Sequence, residues 1–151
     1  MTEVFFYHLE HQSLDRILPR LLQASISRGW RVVVQTGSAE RAEALSASLW
    51  TSDEEGFLPH GSKADGNAEL QPIWLTETDE TPNGANVRFF VDGAAVDKVE
   101  RLTRAVIIFD GADGEAVERA REDWKSLRRA GHDISYWQQD ENGRWQNRAA
   151  G

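Results

Sequence analysis

Apolar residues in this chain come in short runs set between amphipathic stretches. Residues 3–9 (EVFFYHL) are mostly apolar and read as a buried strand. Residues 13–28 place Leu14, Ile17, Leu18, Leu21, Leu22 and Ile26 at helical spacing. Ser13 marks the start and Gly29 the stop of that helix, and Pro19 should kink it or cost it a hydrogen bond. Residues 31–35 (RVVVQ) predict a second strand. A helix over 38–50 then puts Ala42, Leu45 and Leu49 on one face. Residues 51–72 have no periodicity and carry Gly, Pro, Asp, Ser and Asn, so they predict a long loop.

Further strands are predicted over 73–76 (IWLT) and 87–91 (VRFFV), separated by a polar turn over 77–86. A short helix near 94–101 follows. Residues 105–109 (AVIIF) are apolar on both faces, as a strand covered on both sides would be. The last helix is predicted over 113–130, ending at Gly131. Residues 133–138 and 144–147 predict two strands joined through Asn142-Gly143, a hairpin signal. Strands alternating with helices imply a single α/β domain over residues 1–151. The expected architecture is a Rossmann-like three-layer sandwich with a largely parallel central sheet, closed by a C-terminal hairpin or edge strands.

Composition narrows the function. The chain is 40% hydrophobic and 28% charged, which fits a globular domain. No apolar run approaches the ~18 residues a membrane span needs. The start, MTEVFFYHLEHQ, lacks the basic and apolar segments of a signal peptide, and there are no cysteines. A cytoplasmic location is expected, without thiol chemistry. The net charge of −8 argues against sequence-independent nucleic-acid binding. A local basic patch would stand out on such a surface and select an anionic partner.

Catalytic and cofactor motifs are missing. No Gly-Lys-Ser/Thr loop precedes a helix, and no Gly-x-Ser-x-Gly elbow occurs. The turn Asp110-Gly111-Ala112-Asp113-Gly114 is the nearest candidate for a nucleotide or small-molecule site. Its two aspartates would repel phosphate, and a strand-to-helix turn with Asp113 as the helix cap is the favoured account. His8 and His11 lie near a strand end without a third ligand, and His60 and His132 sit beside turns where surface histidines are common. No catalytic residue, no cofactor and no metal are expected.

The last helix carries the clearest asymmetry. Ala116, Ala120 and Leu127 cluster on one side of a helical projection and should face the sheet. Arg121, Lys125, Arg128 and Arg129 line a second stripe, with Trp124 and Val117 on the border. An indole beside several cations suits a ligand with an apolar end and carboxylates. The same residues also fit an ordinary solvated helix, with glutamates early and arginines late along its dipole.

The segments VFFYHL, RGWRVVVQ, ALSASLW, FLPHG, AVIIFD and DWKSLRRAGHDI, in this order and spacing, resemble the chi subunit family of bacterial DNA polymerase III. The resemblance covers most of the chain. It implies a non-catalytic Rossmann-like accessory protein of the clamp loader that binds no nucleotide. It further implies two partners: the acidic, Phe-ending C-terminal tail of single-stranded DNA-binding protein, and the psi subunit, which links the family to the replicase. No direct nucleic-acid contact and no membrane are implied.

Carried over by position, the resemblance places tail contacts at Arg121, Trp124 and Lys125, with Trp50 and Phe57 as further aromatics. The helix geometry adds Arg128. Trp50 and Phe57 are then expected to wall an apolar pocket next to the last helix. Trp124 stands where familiar relatives have Tyr, and Val117 replaces a basic family position. The segment 138–151 runs beyond those relatives. Two other readings stay open at this point: an α/β enzyme using the Asp110–Gly114 turn, and a stand-alone regulatory protein of chi ancestry.

Overall fold

The computed structural model describes residues 2–51 and 58–148. Among these lie eight strands and three α-helices: β1 (Glu3–Leu9), α1 (Leu14–Ser27), β2 (Val32–Gln35), α2 (Ala39–Thr51), β3 (His60–Gly61), β4 (Ile73–Thr76), β5 (Val87–Phe90), β6 (Arg104–Asp110), α3 (Gly114–Arg129), β7 (Asp133–Gln139) and β8 (Trp145–Asn147). One sheet holds all strands in the order β3-β4-β2-β5-β6-β1-β7-β8. Neighbours are parallel except β7 and β8, which form the antiparallel C-terminal pair.

The strand order fixes where the helices lie. From β1 the chain steps through α1 to β2 and through α2 to β3, always toward one edge. From β6 it steps through α3 to β7, toward the other edge. Right-handed crossovers in opposite directions put their helices on opposite faces. The side chains agree. Leu18 and Leu22 of α1 and Leu45 of α2 join Val34, Phe89 and Ile108 in one core cluster. Ala120 and Leu127 of α3 join Phe6, Ile107 and Phe109 in the other. Alternation along β6 sends Val106 and Ile108 to the first face and Ile107 and Phe109 to the second.

Among the described residues no α-helix lies over β2 and β4 on the α3 face; the polar turn 77–86 covers them instead. Arg88 of β5 is 4% exposed and fixes this turn from below. Its guanidinium donates to the carbonyl oxygens of Thr78, Asp79 and Glu80, to Thr81 Oγ1 and to Gln35 Oε1. Glu80 reaches inward to accept from Thr76 Oγ1 (2.6 Å) and Trp74 Nε1 (3.3 Å). A buried cation is tolerable here because its donors are occupied.

Several expectations need correction. The predicted loop 51–72 contains β3 and a 3-10 turn at Ala68–Leu70. The short helix near 94–101 is only a 3-10 turn, Val99–Arg101. Lys98 has a left-handed backbone (φ 55°), which blocks helix propagation from the residues before it. Pro19 lies within α1, where the sequence pattern puts it, and is buried in the core. His60 is 3% exposed, not a surface residue. Its Nδ1 lies 2.7 Å from the Leu58 carbonyl oxygen and its Nε2 3.1 Å from that of Ser46.

Candidate functional site

The turn after β6 is a helix cap. The Asp113 carboxylate accepts from the backbone N–H groups of Glu115 and Ala116. Those are donors an anion would need at this helix start, so the cap takes the place of a bound phosphate. Asp110 likewise accepts from Ala112 N (2.9 Å). The N–H groups of Ala112, Glu115 and Ala116 are therefore already engaged by the turn's own aspartates. Among the described residues no group of three or more His, Cys, Asp or Glu is placed to hold a metal ion.

On α3 the expected stripe forms. Arg121, Lys125 and Arg128 are exposed, and Trp124 is half-buried against the core beneath the helix. The Arg128 guanidinium carbon lies 4.9 Å from the Trp124 ring centroid, within cation–π range. Arg121 pairs with Glu118 at 3.3 Å, and Lys125 approaches Glu122 at 4.0 Å. Both pairs are solvent-exposed, where such contacts contribute little and exchange readily. Arg121 and Lys125 can therefore exchange these partners for a competing carboxylate.

The floor beside this stripe includes residues the sequence reading did not assign to the site. Val117 and Trp124 of α3 and Ile134 and Tyr136 of β7 all pack, partly buried, against the same core cluster. Tyr136 stacks near Phe6 (6.0 Å), and its hydroxyl lies 2.8 Å from His8 Nδ1 in a hydrogen bond. Burial raises the Tyr136 pKa above its ordinary value, opposed by the Arg121 charge. Burial also lowers that of His8, opposed by Glu10 and Asp110. The only sequence signal for Tyr136 was the alternation Ile134–Tyr136, which puts both on one side of β7. Parallel pairing of β1 with β7, which brings Phe6 beside Tyr136, is not legible without strand order.

Trp50 lies elsewhere. It lies in the last turn of α2, on the opposite face of the sheet from α3 and near the far edge strand β3. Its ring packs on His60 with centroids 4.1 Å apart, and 48% of the residue is exposed. Trp50 thus does not wall a pocket next to the last helix. The crossover directions place α2 and α3 on different faces. Phe57 lies outside the described residues.

The fold defines an α/β domain of the Rossmann-like kind whose helix start after the central strand is capped by its own aspartate. Comparison with known proteins narrows this. The family model described as "DNA polymerase III chi subunit, HolC" matches residues 1–135, and the chain belongs to that family of polymerase accessory subunits. A "Probable DNA polymerase III subunit chi" from Rickettsia prowazekii (strain Madrid E) is 27% identical over 109 residues. That match covers 72% of this chain and 66% of the relative, so it spans slightly less than two thirds of the relative's length. The family match takes in all of α3 and ends within β7. No helix among the described residues is long and apolar enough to cross a membrane.

Proposed function

We propose that this chain is a non-catalytic subunit that binds the acidic, Phe-ending C-terminal tail of single-stranded DNA-binding protein and couples it, through a psi subunit, to the clamp loader. The observation that carries this reading is the α3 flank: a half-buried Trp124 bordered by exposed Arg121, Lys125 and Arg128 on an otherwise acidic chain. The tail's terminal ring packs against Trp124, Val117 and Tyr136. Its carboxylates meet the three cations, displacing the exposed Glu118 and Glu122 contacts.

Magnitudes favour a releasable contact. Exposed ion pairs contribute ~0.2–1 kcal/mol each. Burying a Phe ring contributes ~1.5–3 kcal/mol. After association costs, micromolar affinity results, lowered further by salt. Coupling needs a second surface that stays open while the tail is bound. The exposed Trp50, on the other face, is suited to that role because the two ligands would not collide.

The test is titration of a fluorescent acidic peptide ending in Pro-Phe at low and high salt. Binding that salt weakens, and that Trp124→Ala and Lys125→Glu each reduce, supports the reading. Binding unaffected by either substitution contradicts it. Clamp-loader subunits should be recovered with the chain from native cytoplasm; recovery of the tail-bearing protein alone would remove the coupling role.

A further inference from the structure

A second feature of α3 lies on its other flank. A cavity of about 550 Å³ opens at the carboxyl ends of β1, β5 and β6, between the β1–α1 turn, the segment after β5 and α3. Its size is that of a small-molecule site, for which about 300–1,000 Å³ is usual. It also occupies the position where open α/β sheets bind ligands. The chain leaves β1 toward one face and β6 toward the other, so a crevice must form between them.

The lining sets the ligand's chemistry. Phe90, Val96, Ile107, Phe109 and Ala116 supply an apolar wall. Four carboxylates line the cavity (Asp92, Asp110, Asp113 and Asp123) against two guanidiniums, Arg41 and Arg119. Arg41 is already committed to Asp92 at 2.8 Å. Asp113 and Asp110 are engaged with backbone N–H groups. Asp123 is different: it is half-buried, and among the described residues its carboxylate makes no hydrogen bond and no ion pair within 4.0 Å. An anionic ligand would face an excess of negative charge. A neutral apolar one would leave that carboxylate desolvated and unmatched.

We propose that this cavity binds an organic cation, an ammonium or guanidinium group on an apolar stem, with the charge against Asp123 and the stem along the Phe90–Ile107 wall. Two sources share that chemistry: a free amine, and the Lys or Arg side chain of a partner peptide. The site is independent of the tail groove, because Arg119 and Asp123 lie on one flank of α3 and Arg121, Trp124 and Lys125 on the other.

Asp123 titrates in a useful range. Burial raises its carboxyl to about 6, with Arg119 opposing and Glu122 reinforcing the shift. The other charged groups facing the cavity are Asp92 with Arg41, Asp110 and Asp113. Cation binding should therefore strengthen as pH rises from 5 to 7.

The test uses 2-phenylethylamine, with 2-phenylethanol and 3-phenylpropionate as neutral and anionic controls, on the full chain by NMR titration. A second arm uses a short peptide with one lysine between apolar residues, against the same peptide with norleucine. The expected result is saturable shifts at Ala116, Asp123 and Phe90, at least tenfold weaker for the alcohol and acid. Asp123→Asn should weaken binding at least tenfold, as should Ala116→Phe, which fills the cavity. Trp124→Ala should leave it unchanged. Amine binding alone assigns a free amine; tighter binding of the lysine peptide than of the amine assigns the side chain. Equal binding of alcohol and amine, no saturation by amine or lysine peptide, or an undiminished Asp123→Asn response would each overturn the proposal.

Discussion

Arg128 sits over the Trp124 ring at 4.9 Å, and the partly buried indole packs against the core beneath α3. This contact holds the ring in one place, and a pre-placed aromatic loses less entropy on binding. Replacing Trp124 with Ala should weaken binding of an acidic Phe-ending peptide about 10–100-fold, the equivalent of ~1.5–3 kcal/mol. Trp124→Tyr should retain most of it. Fluorescence anisotropy of a labelled peptide reads both.

The glutamates beside the stripe compete with the ligand. Glu118 and Glu122 contact Arg121 and Lys125 in exposed pairs worth ~0.2–1 kcal/mol. Glu118→Gln with Glu122→Gln should therefore tighten peptide binding about 2–5-fold at low salt. The gain should shrink above 0.3 M salt as screening shortens. Unchanged or weaker binding at low salt would mean that the arginine and lysine do not meet the peptide.

Trp50 provides a control on the other face. Its exposed ring rests on His60, far from α3 across the sheet. Trp50→Ala should leave tail-peptide affinity within twofold of the native value. The same substitution should reduce recovery of clamp-loader partners from cytoplasm if that face holds them. A tenfold loss of peptide affinity would place Trp50 in the tail site after all.

Asp123 gives a pH signature of stability. Its folded pKa, about 6, is above the usual 3.8, so the folded chain holds this proton more tightly than the unfolded one. The protonated carboxyl favours folding below pH 3.8. That advantage is lost as pH rises to about 6 and is absent above it. Asp123→Asn should remove the slope and raise stability at pH 7.5 by on the order of 1 kcal/mol, after discounting for solvent screening. Urea unfolding at pH 5 and pH 7.5 separates the two forms; identical differences at both pH values would contradict the raised pKa.

Arg88 is the most consequential buried charge. Its guanidinium serves three carbonyls, a hydroxyl and an amide oxygen at once. Arg88→Ala strands those acceptors and opens a cavity, so a loss of about 3–5 kcal/mol is expected in chemical denaturation. Hydrogen exchange over residues 77–86 should rise before the rest of the chain responds.

Much of the fold is legible in local pattern. The strand runs, the hairpin signal at Asn142-Gly143 and the caps at Asp113 and Gly131 depend on neighbours in sequence, and all appear in the structure. Helical spacing alone likewise put Arg121, Lys125, Arg128 and Arg129 on one stripe, with Trp124 at its border. The rest depends on contacts across the chain. The expectation that Trp50 lies next to the last helix comes from the family resemblance, not from any local pattern. Which face each helix covers depends on strand order, which no local pattern encodes. Tyr136 comes beside Phe6, in the cluster that Trp124 packs on, only because β7 pairs with β1. His60 is buried because β3, two residues long, completes the sheet edge; such a strand carries no periodicity to read.

The most direct measurement is a double-mutant cycle between Trp124 and the peptide's terminal residue. Four affinities are needed: native chain and Trp124→Ala, each with the Phe-ending peptide and with its Ala-ending counterpart. Direct packing of the two rings predicts a coupling energy of about 0.5–1.5 kcal/mol. Independent effects, with coupling indistinguishable from zero, would mean that the peptide's ring sits away from Trp124 and that the α3 flank is not the docking groove.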